Sequence, residues 1–451
     1  MNASTTPDPA QGQEGPDPAS VIRSRQFVVL LVLASIVGVI ASVVAWGFLE
    51  LVYYIQVWVY TDIPDVLGFD SAPIWWPLPI LTVAGVITAL AIERFPGTGG
   101  HEPSNGLSPG TLPPIELPGV ILAAFASIGL GMVLGPEAPL MAIGGGIGLI
   151  TIRALRKDAP PQVGQLLASA GVFASLSFLF GSPIIAAVIL IEAAGLSRDR
   201  MPLVIIPGLL AAGIGSLVSI GMSSWTGLDS SNISLGSLPL PEFGRPDLVD
   251  FLWTVPVAAA VALGTVLIFV LARNVRFHVE KRRMALLPLS GLVVGGLAIA
   301  FAEISGKGFE EVLFSGQDSV GSLVANADSW TLSALALLVA FKGVAYAVSL
   351  GGFRGGPVFP ALFLGAAAGL MAGQLPGFEM APAVALCVGA AVVAVLRLPL
   401  SALVLASVLA SSAGPGAMPL VIVGVATSYL VTLYLDGVSW ARPADPKAEA
   451  T

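Results

Sequence analysis

The feature that most limits what this chain can fold into is a long succession of apolar segments, many of them close to the length that crosses a lipid bilayer. They run at 27–56, 76–94, 117–133, 138–155, 163–180, 183–196 and 202–221. After a polar, Ser- and Pro-rich stretch they resume at 248–277, 286–304, 331–350, 357–373, 380–396, 399–412 and 417–435. About 20 residues at helical rise cover the ~30 Å of bilayer hydrocarbon. Lipid offers no partner to an open backbone group, so these segments are expected to be helices. Charge confirms the setting: 11% of the residues are charged and 55% hydrophobic, whereas a soluble domain carries about 25% charged residues. The expected fold class is an all-α, polytopic membrane protein.

Composition also excludes several chemistries. One cysteine, Cys387, leaves no disulfide framework and no thiolate metal site. Two histidines, His101 and His278, give little scope for metal binding or catalysis. We therefore expect no enzyme, no cofactor, no metal and no nucleic-acid partner. The net charge of −8 comes partly from acidic ends and loops, and names no partner.

Residues 1–22 are polar, acidic and Pro-rich and lack the basic-then-apolar order of a signal peptide. They are expected to be a disordered tail; residues 436–451 form a C-terminal tail whose last residues, 441–451, look the same, with no soluble regulatory domain expected to follow. Between them lies a transmembrane domain at 23–435, with a first half at about 27–221, a linker at 225–246 and a second half at about 248–435. Arg23 and Arg25, Arg198 and Arg200, and the group Arg273, Arg276, Lys281, Arg282 and Arg283 mark one side of the membrane. Asp62, Asp65, Asp70, Asp229 and Glu242, with only Arg245 basic among them, mark the other. The excess of Lys and Arg in cytoplasmic loops places the N-terminus and the basic loops in the cytoplasm.

Gly and Pro break the apolar segments often, with 52 and 35 copies. Residues 135–144 read GPEAPLMAIG and residues 356–365 read GPVFPALFLG, both fitting G-P-x-x-P-x-x-x-x-G. In each half a second Pro-started apolar segment comes later, at Pro183 and Pro399. Broken helices in corresponding positions of two repeats point to a midplane binding site.

Three Gly-rich breaks are expected to open onto helices: Gly97-Thr98-Gly99-Gly100, Gly135-Pro136-Glu137-Ala138-Pro139 and Gly355-Gly356-Pro357-Val358-Phe359-Pro360. A helix N-terminus exposes unpaired N–H groups and about half a positive charge. Several aimed at one place hold an anion without a full cation that would bind it too tightly to release. Glu137 is the informative residue. It is a carboxylate inside an apolar stretch at a helix start, a costly placement that marks function. Ionised, it can occupy the anion's own place; protonated or displaced, it vacates it. Arg354, in the third break, can attract anions at a vestibule or cap a loop.

These motifs resemble those of the CLC family of chloride channels and chloride/proton exchangers. The family's G-(K/R)-E-G-P is similar to Gly135-Pro136-Glu137-Ala138-Pro139, its G-S-G-x-P to Gly97-Thr98-Gly99-Gly100-His101, and its G-G-(I/V)-F-A-P to Gly355-Gly356-Pro357-Val358-Phe359-Pro360. Lys342 stands where many members have Lys. The likeness covers about 27–435 in the family's order. It implies two inverted-topology helical repeats with broken and tilted helices, in a bacterial inner (plasma) membrane. It implies Glu137 as gate and proton acceptor, and an anion site at Thr98, Gly99, Pro136, Ala138, Gly356, Val358 and Phe359. Thr98 takes the place of the family's central serine. It also implies a lipid-embedded homodimer with one pore per subunit, whose face is formed by the helices beginning at Pro183, Met201, Pro399 and Met418.

The departures shape the functional expectation. Pro357 has no N–H to offer. His101 replaces a proline. The exchangers' inner proton-relaying glutamate falls at Ala193, with Glu192 one residue before it and turned by about 100° on a helix. Glu192 is thus the candidate inner relay. The central tyrosine has no counterpart beyond Trp440, Tyr429 or Tyr434. The expected function is passive or weakly coupled transport of chloride or another small anion. The alternative is a proton-coupled chloride antiporter, and a fluoride-selective exporter or a cation-coupled symporter stands further off.

Overall fold

A computed structural model describes residues 22–107, 112–156, 159–194, 201–226 and 235–437. The tail at 1–21, the residues from 438 onward with Trp440, and Lys157, Arg198, Arg200 and Asp229 lie outside the described residues.

The helices follow the apolar segments closely. They are α1 (Arg25–Val57), α2 (Ile63–Val66), α3 (Pro77–Arg94), α4 (Leu117–Ala124), α5 (Glu137–Leu155), α6 (Pro161–Phe180), α7 (Pro183–Ala194) and α8 (Met201–Thr226) in the first half. The second half has α9 (Leu248–Lys281), α10 (Arg283–Ser305), α11 (Val320–Ala325), α12 (Leu332–Gly352), α13 (Val358–Ala372), α14 (Met380–Leu396), α15 (Pro399–Leu409) and α16 (Met418–Asp436). Among the described residues nine helices are long and apolar enough to cross a membrane, and no strand occurs; one isolated antiparallel bridge joins Gly135 to Gly356. Proline starts several helices where its missing N–H costs nothing, as at Pro161 and Pro399. A reciprocal capping box between Asp247 and Asp250 opens α9.

Packing repeats between the halves. In the first, α5 packs on α6, α6 on α8 and α1 on α8; in the second, α13 packs on α14, α14 on α16 and α9 on α16. The halves meet where α3 lies on α10 and α7 on α15. Each motif glycine sits just ahead of the equivalent helix, Gly135 before α5 and Gly356 before α13.

Three local expectations are corrected. Asp62 and Asp65, read from the sequence as part of a loop at Tyr60–Pro73, lie in helix, and the loop begins only after Val66. The helix runs on through a π-helical turn, Trp58–Asp62, into α2, because Pro64 falls in a first turn, where proline is tolerated. The helix expected at 248–277 runs further: α9 continues to Lys281, so only Arg282 separates it from α10, and Arg276 bonds Glu280 one turn on at 2.7 Å. Finally, the Gly97–Gly100 break does not open onto an α-helix. It forms a 3₁₀ turn, Pro96–Gly99, and then a second, Pro103–Asn105, because proline and glycine recur too densely for an α-helix to start.

Candidate functional site

Two of the three breaks meet. Gly135 N–H donates to the Gly356 carbonyl at 2.7 Å, and Gly356 N–H donates back to the Gly135 carbonyl at 2.5 Å. The two motif glycines are therefore each other's partners. An antiparallel pair of this kind is locally two-fold symmetric, as two inverted repeats require. From this crossing α5 and α13 depart, and their first residues, Glu137 and Val358, hold equivalent positions.

Glu137 is fully buried. One of its oxygens, Oε1, accepts the N–H of Val358 at 2.8 Å and of Phe359 at 2.9 Å, the first two N–H groups of α13. The other, Oε2, is buried with no hydrogen-bond partner. None of the ion pairs among the described residues includes Glu137. Burying a carboxylate costs several kcal/mol. Here two charge-assisted N–H bonds and the positive end of α13 offset that cost. A Cβ on Gly135 or Gly356 would fall on the carboxylate, so both glycines clear the room it occupies.

The site is held from behind by α12. Tyr346, fully buried, donates its hydroxyl to the Pro357 carbonyl at 2.5 Å, fixing the residue that caps α13. Ser349 Oγ accepts the N–H of Val133 at 3.2 Å and so ties the segment leading into Gly135 to the same helix. The ring of Phe359 stacks on Phe180 at 5.7 Å. Lys342, fully buried on α12, donates to the carbonyls of Glu311 at 2.9 Å and Leu313 at 2.8 Å, with those of Val312 and Phe314 slightly further.

The remaining expected residues divide between the crossing and a neighbouring cleft. Val358 and Phe359 supply the amides, Pro136 and Pro357 cap the two helices and Gly356 forms the crossing. Because Pro357 is the cap, its missing N–H leaves the two donors that follow it intact. Thr98, Gly99 and Ala138 line a cleft of about 440 Å³ together with His101, Glu102 and Arg354. Thr98 takes a left-handed backbone (φ 49°), and its carbonyl accepts from Arg354 Nε at 3.1 Å. Glu192 lies apart, half-buried on α7. Its Oε1 accepts the N–H of Leu400 at 3.0 Å, and its Oε2 accepts the N–H and the hydroxyl of Ser401 at 2.7 and 2.6 Å. It thus closes the start of α15 much as Glu137 closes that of α13.

Sequence reasoning missed Tyr346. Lys342 was noticed only by position. Both spend their polar atoms on backbone carbonyls, which leave no mark in a sequence. The one available signal was polar side chains four apart in an apolar helix, at 342 and 346.

A family model described as voltage gated chloride channel matches residues 84–433. The protein YfeO of Escherichia fergusonii, whose name assigns it to ion transport, is 30% identical over 355 residues, covering 77% of this chain and 80% of that protein. YfeO of Escherichia coli strain SMS-3-5 matches to the same extent, 30% over 355 residues. Among solved structures, a slow cyanobacterial Cl⁻/H⁺ antiporter superposes with a TM-score of 0.72 at 20% identity, over 91% of this chain and 96% of that one. A CLC-type fluoride/proton antiporter gives 0.65 at 15%, over 90% and 95%. At those identities the likeness is one of fold.

Proposed function

The chain belongs to the voltage gated chloride channel family, and from that premise we propose that it carries chloride or a similar small anion across the membrane, passively or with weak coupling, with Glu137 as the gate. The observation that carries this is the Glu137 carboxylate on the amides of Val358 and Phe359. An anion already sits on the helix start, and it belongs to the protein. A mobile anion takes those donors only when Glu137 leaves or is protonated. Replacing one monovalent anion by another at the same dipole costs little, which permits release as well as binding. The anion site comprises the Val358 and Phe359 amides, with Thr98, Gly99, Pro136, Ala138 and Gly356 shaping the approach.

Weak coupling is favoured by Glu192, whose two oxygens are already bonded to Leu400 and Ser401. The second reading is proton-coupled antiport, favoured by the fold shared with the cyanobacterial antiporter. Reversal potentials of the protein in liposomes under a proton gradient decide between them: potentials that follow chloride alone support the first, and a stoichiometric shift with pH overturns it. Running the assay in fluoride tests the kinship with the fluoride/proton antiporter.

A homodimer is supported by exposed apolar side chains on α7, α8, α15 and α16. Ile184, Ile220, Leu400 and Leu430 are each at least 60% exposed. Crosslinking across those helices in membranes tests it. We place the N-terminus on the cytoplasmic side of the inner membrane, from the basic residues at the inner ends. Residues 23–435 act as one transmembrane unit of two repeats.

A further inference from the structure

Two fully or nearly fully buried cations lie close to the crossing, and they are used differently. Lys342 gives its ammonium to the carbonyls of the Glu311–Phe314 segment. Arg354 is only 6% exposed. Its Nε donates to the Thr98 carbonyl at 3.1 Å, and its Nη1 to the carbonyls of Phe353 at 3.2 Å and Gly352 at 3.5 Å. A guanidinium has five N–H donors. One on Nε and two on Nη1 are thus placed, which leaves the pair on Nη2. That pair has no hydrogen bond. Its nearest opposite charge is Glu102 Oε1 at 3.9 Å, and the other oxygen of Glu102 is held by Arg276 at 2.5 Å.

Arg354 and Glu102, the nearest opposite charge to Nη2, stand together at two openings. Arg354 lines the 440 Å³ cleft, which also reaches Ala138 and Gly355, the chain neighbours of Glu137 and Gly356. The charged groups around that cleft are Glu102, Glu116 and Arg354, with His101 beside them. Burial pushes the His101 imidazole below its ordinary value and so disfavours its charged form. Arg354 is then the one cation among the described residues lining the cleft. Arg276 and Arg283 stand with it and Glu102 around the adjoining depression at the end of α9. Carbonyls from both repeats, Thr98 from the first and Gly352 and Phe353 from the second, hold the guanidinium in place. It therefore loses little freedom on meeting a ligand.

We propose that Arg354 is the residue that recruits the transported anion into this cleft and sets its affinity there, a small inorganic anion taking the Nη2 donors in competition with Glu102. Position and charge divide the labour. Arg354 binds at the approach, where a full cation with only part of its donors free still lets the ion go. The amides of α13 bind at the crossing. This inference rests on the transport reading above and extends it to a residue outside the gate.

The full-length chain in liposomes tests it, with chloride flux measured against chloride concentration on the cleft side. Arg354→Gln is expected to raise the half-saturating chloride about tenfold, as the loss of a charge-assisted bond predicts. Arg354→Lys should recover part of that shift. Glu102→Gln removes the competing carboxylate and is expected to lower the half-saturating chloride several-fold. A merely structural role for Arg354 does not predict shifts of opposite sign. Any other pattern of the two signs overturns the proposal, and if Arg354→Gln does not fold, the sign for Glu102→Gln decides alone. Chloride-dependent thermal stabilisation of the solubilised protein gives a readout independent of flux. A wild-type protein with no chloride flux sinks the transport reading. Wild-type flux with unmoved affinities in both variants sinks only the role of Arg354.

Discussion

Gly135-Pro136-Glu137 and Gly356-Pro357-Val358 are the same piece of backbone built twice. Each puts a glycine in the crossing, a proline at a helix cap and a third residue at the head of a buried helix. They differ in that third side chain. In one segment it is a carboxylate; in the other it is a valine whose N–H donates to that carboxylate. A symmetric pair of acids would set two buried negative charges against each other, and a symmetric pair of apolar residues would leave both helix ends to the ion alone. The protein keeps the symmetry of the scaffold and breaks it at one residue. The difference teaches that the crossing comes from the repeat, whereas the buried carboxylate on a helix start comes from its violation.

Four substitutions break or sharpen that comparison. Glu137→Gln removes the charge that distinguishes the segments, and is expected to abolish the pH dependence of anion flux while raising flux at neutral pH on the order of tenfold, about 1.4 kcal/mol at the site. Flux in liposomes from pH 5 to 8 measures this, and an unchanged profile removes Glu137 from the gate. Gly356→Ala puts a methyl group on the Glu137 carboxylate. Overpacking of this kind costs about 1–3 kcal/mol, so a lower thermal midpoint is expected together with flux that shifts towards the Glu137→Gln behaviour.

Tyr346→Phe frees the Pro357 carbonyl of its hydroxyl donor and should cost about 1 kcal/mol, seen as a drop in thermal midpoint with flux largely kept. Pro357→Ala restores an N–H to the segment without the acid. We expect a change in stability below about 1 kcal/mol and a modest tightening of chloride binding by calorimetry. Weaker binding would show that proline at the cap orients the two following amides.

Much of the helical scaffold was legible because its cause is local. An apolar run ended by Gly or Pro has few outcomes in a membrane, and Pro183 and Pro399 each begin the helix their position suggests. The duplicated motif was legible for the same reason. Less visible was what pairs with what. Nothing in the residues themselves tells that Gly135 and Gly356 bond each other, or that the Thr98 loop turns as 3₁₀ and offers its carbonyl to Arg354. Lys342 and Arg354 reach main-chain carbonyls brought from far along the chain, at Leu313 and Thr98, and Tyr346 reaches the nearer one of Pro357. Such partners have no side-chain identity, so a sequence cannot advertise them.

The Gly135–Gly356 bridge has one more consequence. It is two hydrogen bonds wide, and both belong to segments between helices. The crossing therefore adds no turn of helix to the contact between the halves, which otherwise meet through α3 on α10 and α7 on α15. A Cβ at either glycine would meet the Glu137 carboxylate, so an alteration on either side of the seam reaches the same group.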